Sequence, residues 1–173
     1  IQDHIDIRLF GLLFAVKGVT FKDIGPVQFS IGQSLNKVQD ILIRNTRIVP
    51  TKEGAESGTF GEKTILKYSL LVFHGFLNQT PAKENILSES DVRKMMLAMW
   101  HGTNNLSTSS KFGQMSRFLL RVIYSDEMAY IGDLDKSIFL TNNENLEDLS
   151  QTSVNMDKLF SLLENNKEKI AEI

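Results

Sequence analysis

The sequence predicts an α+β fold with a mainly antiparallel sheet. Segments typical of strands follow one another along the first half of the chain, and one well-marked helical pattern separates them from the next such segment. A hydrophobic fraction of 42% in 173 residues is sufficient for the core of a single domain. We therefore expect the order strand, strand, long loop, strand, helix and strand, followed by further short elements.

The first two elements are predicted to be strands. Residues 5–16 are almost continuously apolar, which favours a buried central strand. A polar connection over residues 17–25 follows. The alternation of Val27, Phe29 and Ile31 with polar residues then predicts a strand that shows amide and hydroxyl groups on its other face.

The next segments predict a long loop between two extended stretches. Residues 34–47 have an ambiguous period, and we favour an extended conformation for them. Residues 50–63 contain three glycines and only two apolar side chains, which indicates a loop or a hairpin tip. Residues 64–76 are rich in aromatic and aliphatic side chains, and they predict the strongest strand of the chain.

Residues 88–101 carry the clearest helical signals. Ser88 and Asp91 have the spacing of a capping box, and Gly102 is a natural end for the helix. One face of this helix is predicted to be apolar: Val92, Met95, Met96, Met99 and Trp100.

The remaining segments are shorter or more polar. Residues 116–124 predict another buried strand after a polar loop, and residues 137–140 predict a small one. Residues 142–152 are polar and expected to be mobile. Residues 154–170 predict a closing amphipathic helix.

Several classes of protein are excluded by composition and motif content. The chain has no cysteine, and no apolar run approaches the ~18 residues that a membrane helix needs. His4, His74 and His101 lack the spacing of metal ligands, and nucleophile elbows and phosphate-binding loops are missing. We expect no catalysis, metal or cofactor. The first residues lack the features of a signal peptide, so we expect a cytoplasmic protein, and they suggest that upstream sequence is missing.

Charge is distributed unevenly along the chain. Residues 1–125 carry 15 Lys and Arg against 10 Asp and Glu, whereas residues 126–173 carry 4 against 11. Between Asp91 and Asp126 there are basic residues but no acidic one. A basic body with an acidic tail is suited to a polyanionic partner, although acids also cluster on solvated tails by chance.

Basic and amide side chains on predicted loops and strand faces are the candidate nucleic-acid contacts. They are Arg8, Gln28, Lys37, Arg44, Arg47, Lys52, Lys63, Lys111, Gln114 and Arg117. Small residues between cations let backbone N–H groups approach phosphates. Phe60, between two glycines, could stack on a base or could equally anchor the loop to its own domain.

Several ordered motifs resemble one family. They are DIRLFG (6–11), GPVQF (25–29), SLNKV (34–38), GTFGEK (58–63) leading into residues 68–75, NNLSTSSKFGQMSRFLLRV (104–122) and IGDLD (131–135). Their combination resembles the backbone subunit of CRISPR-associated Cascade complexes, in the type I-B branch of the RAMP superfamily. The resemblance covers about residues 5–140.

The resemblance implies a modified RRM-like (ferredoxin-like) palm with inserted fingers and a thumb. It implies a helical oligomer of copies along one CRISPR RNA, in contact with other Cascade subunits and, through the guide, with target DNA in antiviral defence. Residues 1–140 would form the palm, with the thumb at about 45–63 and a helical insertion at 88–102. Residues 141–173 would form an acidic linker and a C-terminal helix.

The resemblance also implies which residues face the RNA. Gln28, Ser30 and Lys37 would lie on the palm, and residues 107–114 would form a second RNA-facing loop. It adds Ser30, Thr59 and Ser110 to the candidate contacts given above. The family's usual first strand and helix are not in this sequence, which indicates a fragment or a join of ordered pieces.

Two alternatives remain open at the level of sequence. One is a metal-independent RNA-processing endonuclease of the same superfamily, with His4, His74 or His101 as general base. The other is an α+β protein-interaction domain without a nucleic-acid role.

Overall fold

A computed structural model describes residues 3–46, 60–78, 80 and 86–173. The helices are α1 (Ile5–Phe10), α2 (Glu89–Asn105) and α3 (Asp157–Glu164), with 3-10 turns at Asp135–Ser137, Leu149–Gln151 and Lys167–Lys169. The strands are β1 (Gly11–Val16), β2 (Val19–Ile24), β3 (Val27–Phe29), β4 (Gln33–Ser34), β5 (Asp40–Thr46), β6 (Phe60–Leu66), β7 (Leu71–Val72), β8 (Gly75–Leu77), β9 (Ile123–Tyr124), β10 (Phe139–Leu140), β11 (Val154–Asn155) and β12 (Ile170–Glu172).

The predicted α+β class is confirmed. Every described strand pairing is antiparallel, and the strands pair two by two: β1 with β2, β3 with β8, β4 with β7, β5 with β6, β9 with β12 and β10 with β11. No helix in the described part of the chain is long and apolar enough to cross a membrane.

Three of these pairs lie in line and form one long two-stranded ribbon. Its first arm is residues 27–46 and its second arm is residues 60–77, and pairing runs from Val27 opposite Leu77 to Thr46 opposite Phe60. Backbone hydrogen bonds continue the pairing between the ladders, for example from Ser30 N to His74 O at 2.8 Å. We call this structure the ribbon.

The ribbon is interrupted at two places where its first arm has one extra residue. Between the end of the β3–β8 ladder and the start of the β4–β7 ladder, the first arm advances four residues and the second advances three. Between the end of the β4–β7 ladder and the start of the β5–β6 ladder, the first arm advances six residues and the second advances five. Extra residues of this kind bend a strand and increase its twist.

The second interruption is closed by the side chain of Asn36, which is only 5% exposed. Its Oδ1 accepts a hydrogen bond from Leu70 N at 2.8 Å. Its Nδ2 donates to the carbonyl oxygens of Lys37 and Tyr68 at 3.0 and 3.3 Å. A single buried amide therefore satisfies backbone groups that the regular ladder leaves without partners.

Residues 5–16 are the main correction to the sequence prediction. They form a short helix and then a strand, rather than one buried strand. Gly11 ends the helix with φ +82°, and a Cβ there would lie 2.2 Å from the carbonyl oxygen of Asp23 on β2. An apolar run cannot by itself distinguish a helix from a strand. The hairpin of β1 and β2 leaves Leu13 and Val19 exposed.

The predicted helix at 88–101 is confirmed and extends further. Ser88 and Asp91 form the reciprocal capping box. Gly102 does not end the helix, which continues to Asn105, because glycine in a helix interior is unfavourable but tolerated. Leu9 of α1, Val27 of β3 and Val92 of α2 are buried where these three elements meet.

Three other strand and helix predictions were too long. Residues 64–76 are divided among three strands, and residues 116–124 are in a strand only at Ile123–Tyr124. The helix predicted at 154–170 is Asp157–Glu164, because its flanking residues pair instead as β11 and β12. Pairing depends on distant segments, which local periodicity does not reveal.

Residues 142–152, predicted to be mobile, form hydrogen-bonded turns. The hydroxyl of Thr152 donates to Asn142 O at 2.7 Å, and Thr141 N donates to Ser153 O at 3.0 Å. Leu146 is 4% exposed and anchors the segment. The described chain therefore continues as folded structure past residue 140.

Candidate nucleic-acid interface

Lys63 on the second arm of the ribbon meets the loop that follows α2. Its Nζ donates a hydrogen bond to Ser109 Oγ at 3.1 Å. We call residues 106–115 the polar loop. This contact brings together two segments that the sequence analysis predicted separately as nucleic-acid contacts, although they lie 46 residues apart in the chain.

The polar loop is fixed at its base by the end of α2. Ser116 N donates to Asn104 Oδ1 at 2.7 Å, and Ser116 Oγ donates to the carbonyl oxygen of Trp100 at 3.0 Å. Within the loop, Lys111 N donates to Thr108 O at 3.2 Å and forms a turn. The polar loop is therefore anchored to the C-terminal end of a regular helix.

The side chains of Lys111, Gln114 and Arg117 are directed to solvent. All three residues are exposed, and none makes an ion pair or a side-chain hydrogen bond with a residue that the structure describes. The stretch from residue 92 to residue 125 contains no acidic side chain. The loop therefore carries positive charge that its own sequence does not neutralise, which favours an anionic partner.

Ser110, also a predicted contact, is exposed in the same loop. Two other predicted contacts lie on the first arm of the ribbon. Gln28 donates through Nε2 to Gly25 O at 3.0 Å, and Ser30 Oγ accepts from His74 N at 3.2 Å. Both residues remain exposed beside these local bonds.

Three predicted cationic contacts are engaged by carboxylates of the same chain. Arg44 Nε lies 3.0 Å from Glu62 Oε1, its partner across the β5–β6 ladder. Lys37 Nζ lies 3.3 Å from Glu144 Oε2. These two pairs are exposed and easily exchanged for phosphate, because surface ion pairs contribute little free energy.

Arg8 is the third of these cations, and its pair is more enclosed. It donates through Nε and Nη2 to the two carboxylate oxygens of Asp91, at 3.1 and 2.8 Å. These hydrogen bonds hold the pKa of Asp91 well below its ordinary range and raise the pKa of Arg8. The geometry gives Arg8 a structural role between α1 and α2, and its contact with nucleic acid stays a prediction.

Residues 142–148, which we call the acidic turn, lie against the second interruption of the ribbon. Besides the pair of Lys37 with Glu144, the ammonium group of Lys67 contacts the carboxylate of Glu147. Gln39 Nε2 donates to Asn145 Oδ1 at 2.8 Å, and Lys37 N donates to Asn143 O at 2.9 Å. Acidic side chains thus form exposed ion pairs with two lysines of the ribbon.

Other predicted contacts lie at or beyond the edge of the described residues. Arg47, Lys52 and Thr59 are outside them, as is most of the predicted thumb. Phe60 is described only as the first residue of β6. The two arms of the predicted thumb hairpin pair as far as Thr46 and Phe60.

The histidines differ in their surroundings. His74 Nδ1 lies 3.2 Å from Asp135 Oδ1, and both side chains are partly buried. His4 and His101 are exposed. Among the described residues, no group of three or more His, Cys, Asp or Glu is placed to hold a metal ion.

Phe112 is the surface feature that sequence reasoning missed. It is 86% exposed and lies in the polar loop between Lys111 and Gly113. The sequence analysis included residue 112 in the RNA-facing loop 107–114 but did not single it out, because the exposure of a side chain depends on which distant segments fold over it.

Comparison with known proteins is consistent with the resemblance found in the sequence. Residues 1–160 match the family described as CRISPR-associated protein Cas7. The chain is 30% identical over 152 residues to a CRISPR-associated protein Cas7 from Haloferax volcanii. This alignment covers 84% of the chain but 45% of the relative, so the chain spans about half the length of the curated relative that it matches.

Proposed function

We propose that this chain, which belongs to the CRISPR-associated Cas7 family, is part of a non-catalytic subunit. The subunit would bind CRISPR guide RNA through the sugar-phosphate backbone of the RNA. Copies of the subunit would assemble along one guide RNA, beside other Cascade subunits, and the guide would pair with target DNA. The proposed compartment is the cytoplasm.

The observation that carries the RNA-binding proposal is the contact between the ribbon and the polar loop. The Lys63–Ser109 hydrogen bond places a ribbon cation beside a loop that carries Lys111 on its exposed surface and is followed by the exposed Arg117. Cations on loops and strand faces, spaced by small polar residues, suit a phosphate backbone. Such a surface carries little sequence information, which fits a protein whose specificity is delegated to base pairing of the guide.

The acidic turn supports the proposal in a second way. It pairs with ribbon lysines at exposed positions, where water and phosphate can compete with the carboxylates. The ribbon face therefore has cations available for a polyanion, while the free chain has less tendency to bind nucleic acid at random.

The experiment that tests this function uses the full-length gene product. Bound nucleic acid would be extracted, its sensitivity to RNase and to DNase determined, and the RNA sized after mild nuclease digestion. Protected RNA that increases in regular steps of a few nucleotides is the expected result, because each added subunit would cover one further step. A monomer free of nucleic acid at low salt would contradict the proposal and favour a protein-interaction domain.

A metal-independent RNA endonuclease is a second candidate, and the contact between His74 and Asp135 favours it. A carboxylate that orients an imidazole is the arrangement used by general bases. The non-catalytic function is the better supported of the two, because it rests on family membership and on the exposed cations beside the Lys63–Ser109 contact, whereas the endonuclease rests on this one contact of His74.

A further inference from the structure

The polar loop presents an aromatic ring to solvent with no described side chain covering it. Phe112 is 86% exposed, whereas a phenylalanine that anchors a loop to its own domain is buried. The ring therefore does not stabilise the fold of the described chain. Phe112 is a large apolar side chain exposed at a positively charged surface. Such a surface is suited to a partner that has both an apolar face and negative charge.

The backbone around Phe112 is shaped to hold the ring outward. Gly113 has φ +76°, a conformation that favours glycine, and a Cβ added there would meet no atom within 4 Å. The turn closed by Lys111 N and Thr108 O lies immediately before it, and Ser116 fixes the end of the loop to α2. Phe112 is thus carried on a short anchored turn.

The charge around the ring decides between a nucleic acid and a protein as the partner. Lys111 precedes Phe112, Arg117 follows five residues later, and the loop contacts Lys63 of the ribbon. Lysine is depleted in the cores of protein interfaces, whereas a phosphate backbone is bound by cations. A base of single-stranded RNA offers a flat apolar face beside a phosphate, which matches an aromatic ring beside a lysine.

We propose that Phe112 is a stacking platform for one unpaired base of bound RNA and that Lys111 binds an adjacent phosphate. This inference rests on the proposed function and adds to it a residue that contacts a base rather than the backbone. Because every base has a π-face, stacking of this kind holds RNA without selecting its sequence.

The test compares two probes that differ only in their bases, with the full-length protein. One is a fluorescent oligouridylate, and the other is an abasic ribose-phosphate oligomer of the same length. We expect Phe112→Ala to weaken binding of the oligouridylate about tenfold and to leave binding of the abasic oligomer unchanged. Phe112→Tyr should retain affinity for both probes, since a tyrosine ring also stacks.

Two further variants make the comparison specific. Lys111→Ala should weaken binding of both probes, because both carry phosphates. Phe160→Ala removes another exposed phenylalanine, on α3, and it should change neither affinity. The melting temperature of each variant reports whether the fold is retained, which is expected because Phe112 has no buried contacts.

Each other outcome overturns the inference in a recognisable way. Equal losses for the two probes with Phe112→Ala would show that the ring shapes the loop instead of stacking. If Phe112→Ala bound both probes as the wild type does and Lys111→Ala bound them more weakly, stacking would be overturned and the proposed function would stand. If Phe112→Ala altered only self-association, the ring would belong to a protein contact. A wild-type protein that binds neither probe would contradict both the inference and the proposed function.

Discussion

Arg8 and Asp91 join the first helix to the second through two parallel hydrogen bonds, from Nε to Oδ2 at 3.1 Å and from Nη2 to Oδ1 at 2.8 Å. The same carboxylate accepts a hydrogen bond from the backbone N–H of Ser88 and so completes the cap of α2. One buried side chain therefore fixes both the start of α2 and its position against α1. Since α2 carries the polar loop at its other end, this pair also positions the candidate interface.

Substitution of Asp91 by Asn should lower thermal stability in a pH-dependent way. Arg8 holds the pKa of Asp91 below its ordinary value of about 4, so the ionised carboxylate stabilises the fold above that pH. We expect Tm to fall by roughly 5 °C at neutral pH. The Tm difference from the wild type should shrink as the pH falls below about 4, because the carboxyl group of Asp91 becomes protonated in the unfolded chain first and in the folded protein only at lower pH.

Asp23→Asn provides the control, since Asp23 lies on β2 without a described side-chain hydrogen bond. Thermal melts of both variants from neutral pH to acid give the comparison. If the Tm difference between Asp91→Asn and the wild type stayed constant across this pH range, the charge of Asp91 would not contribute to thermal stability.

Substitution of Asn36 by Ala should destabilise the ribbon. It removes the acceptor of Leu70 N and the donor to two carbonyl oxygens at a buried position. Leaving buried polar groups unpaired costs about 1–3 kcal/mol, so we expect the Tm to fall by roughly 5 °C. Gln39→Ala, which removes an exposed hydrogen bond to Asn145, should change Tm by no more than about 1 °C. Equal changes of Tm for the two substitutions would contradict the role of Asn36 at the second interruption of the ribbon.

Neutralising the acidic turn should strengthen RNA binding. The double substitution of Glu144 and Glu147 by Gln releases Lys37 and Lys67 from their ion pairs. We expect affinity for single-stranded RNA to rise about two- to tenfold at low salt, with little change in Tm. Glu164→Gln, which frees Lys167 in the 3-10 turn after α3 from its ion pair, is the matched control and should have no effect. Filter binding of both variants would measure the affinities. An unchanged RNA affinity of the double variant would exclude competition between the acidic turn and RNA for Lys37 and Lys67.

Removing cations from the interface should reduce the salt dependence of binding. Lys63→Ala and Lys111→Ala each delete one charge at the contact between the ribbon and the polar loop. Each should weaken RNA binding for all sequences alike and lower the slope of log affinity against log salt by about 0.7. Lys167→Ala should leave the slope unchanged. Titrations at several salt concentrations measure these slopes, and slopes equal to the wild-type value would remove Lys63 and Lys111 from the interface.

The protein should not cleave RNA in the presence of EDTA. If His74 serves only to hold the segment around Asp135, His74→Ala should leave RNA affinity unchanged and lower thermal stability modestly. Gel analysis of labelled guide RNA after prolonged incubation would detect cleavage. Cleavage that is present in the wild type and lost in His74→Ala would establish the endonuclease instead.

Features that depend on neighbouring residues could be predicted from the sequence. The capping box of Ser88 and Asp91 acts within one turn, so its spacing identified α2 and its start. The alternation at Val27 and Phe29 identified β3, and the absence of acids between Asp91 and Asp126 identified the basic loop. The ordered motifs identified the family. The capping box and the strand alternation can be read within a short stretch of chain, whereas the family was identified from the combination of motifs along residues 5–140.

Contacts between residues far apart in the chain could be seen only in the folded structure. Arg8, Lys37 and Lys63 look alike in sequence, yet they lie against Asp91, Glu144 and Ser109, respectively. The exposure of Phe112 was hidden for the same reason, since burial depends on which segments fold over a side chain. Local periodicity reports how a segment is shaped, whereas pairing, burial and neutralisation of charge are settled by contacts between residues far apart in the chain.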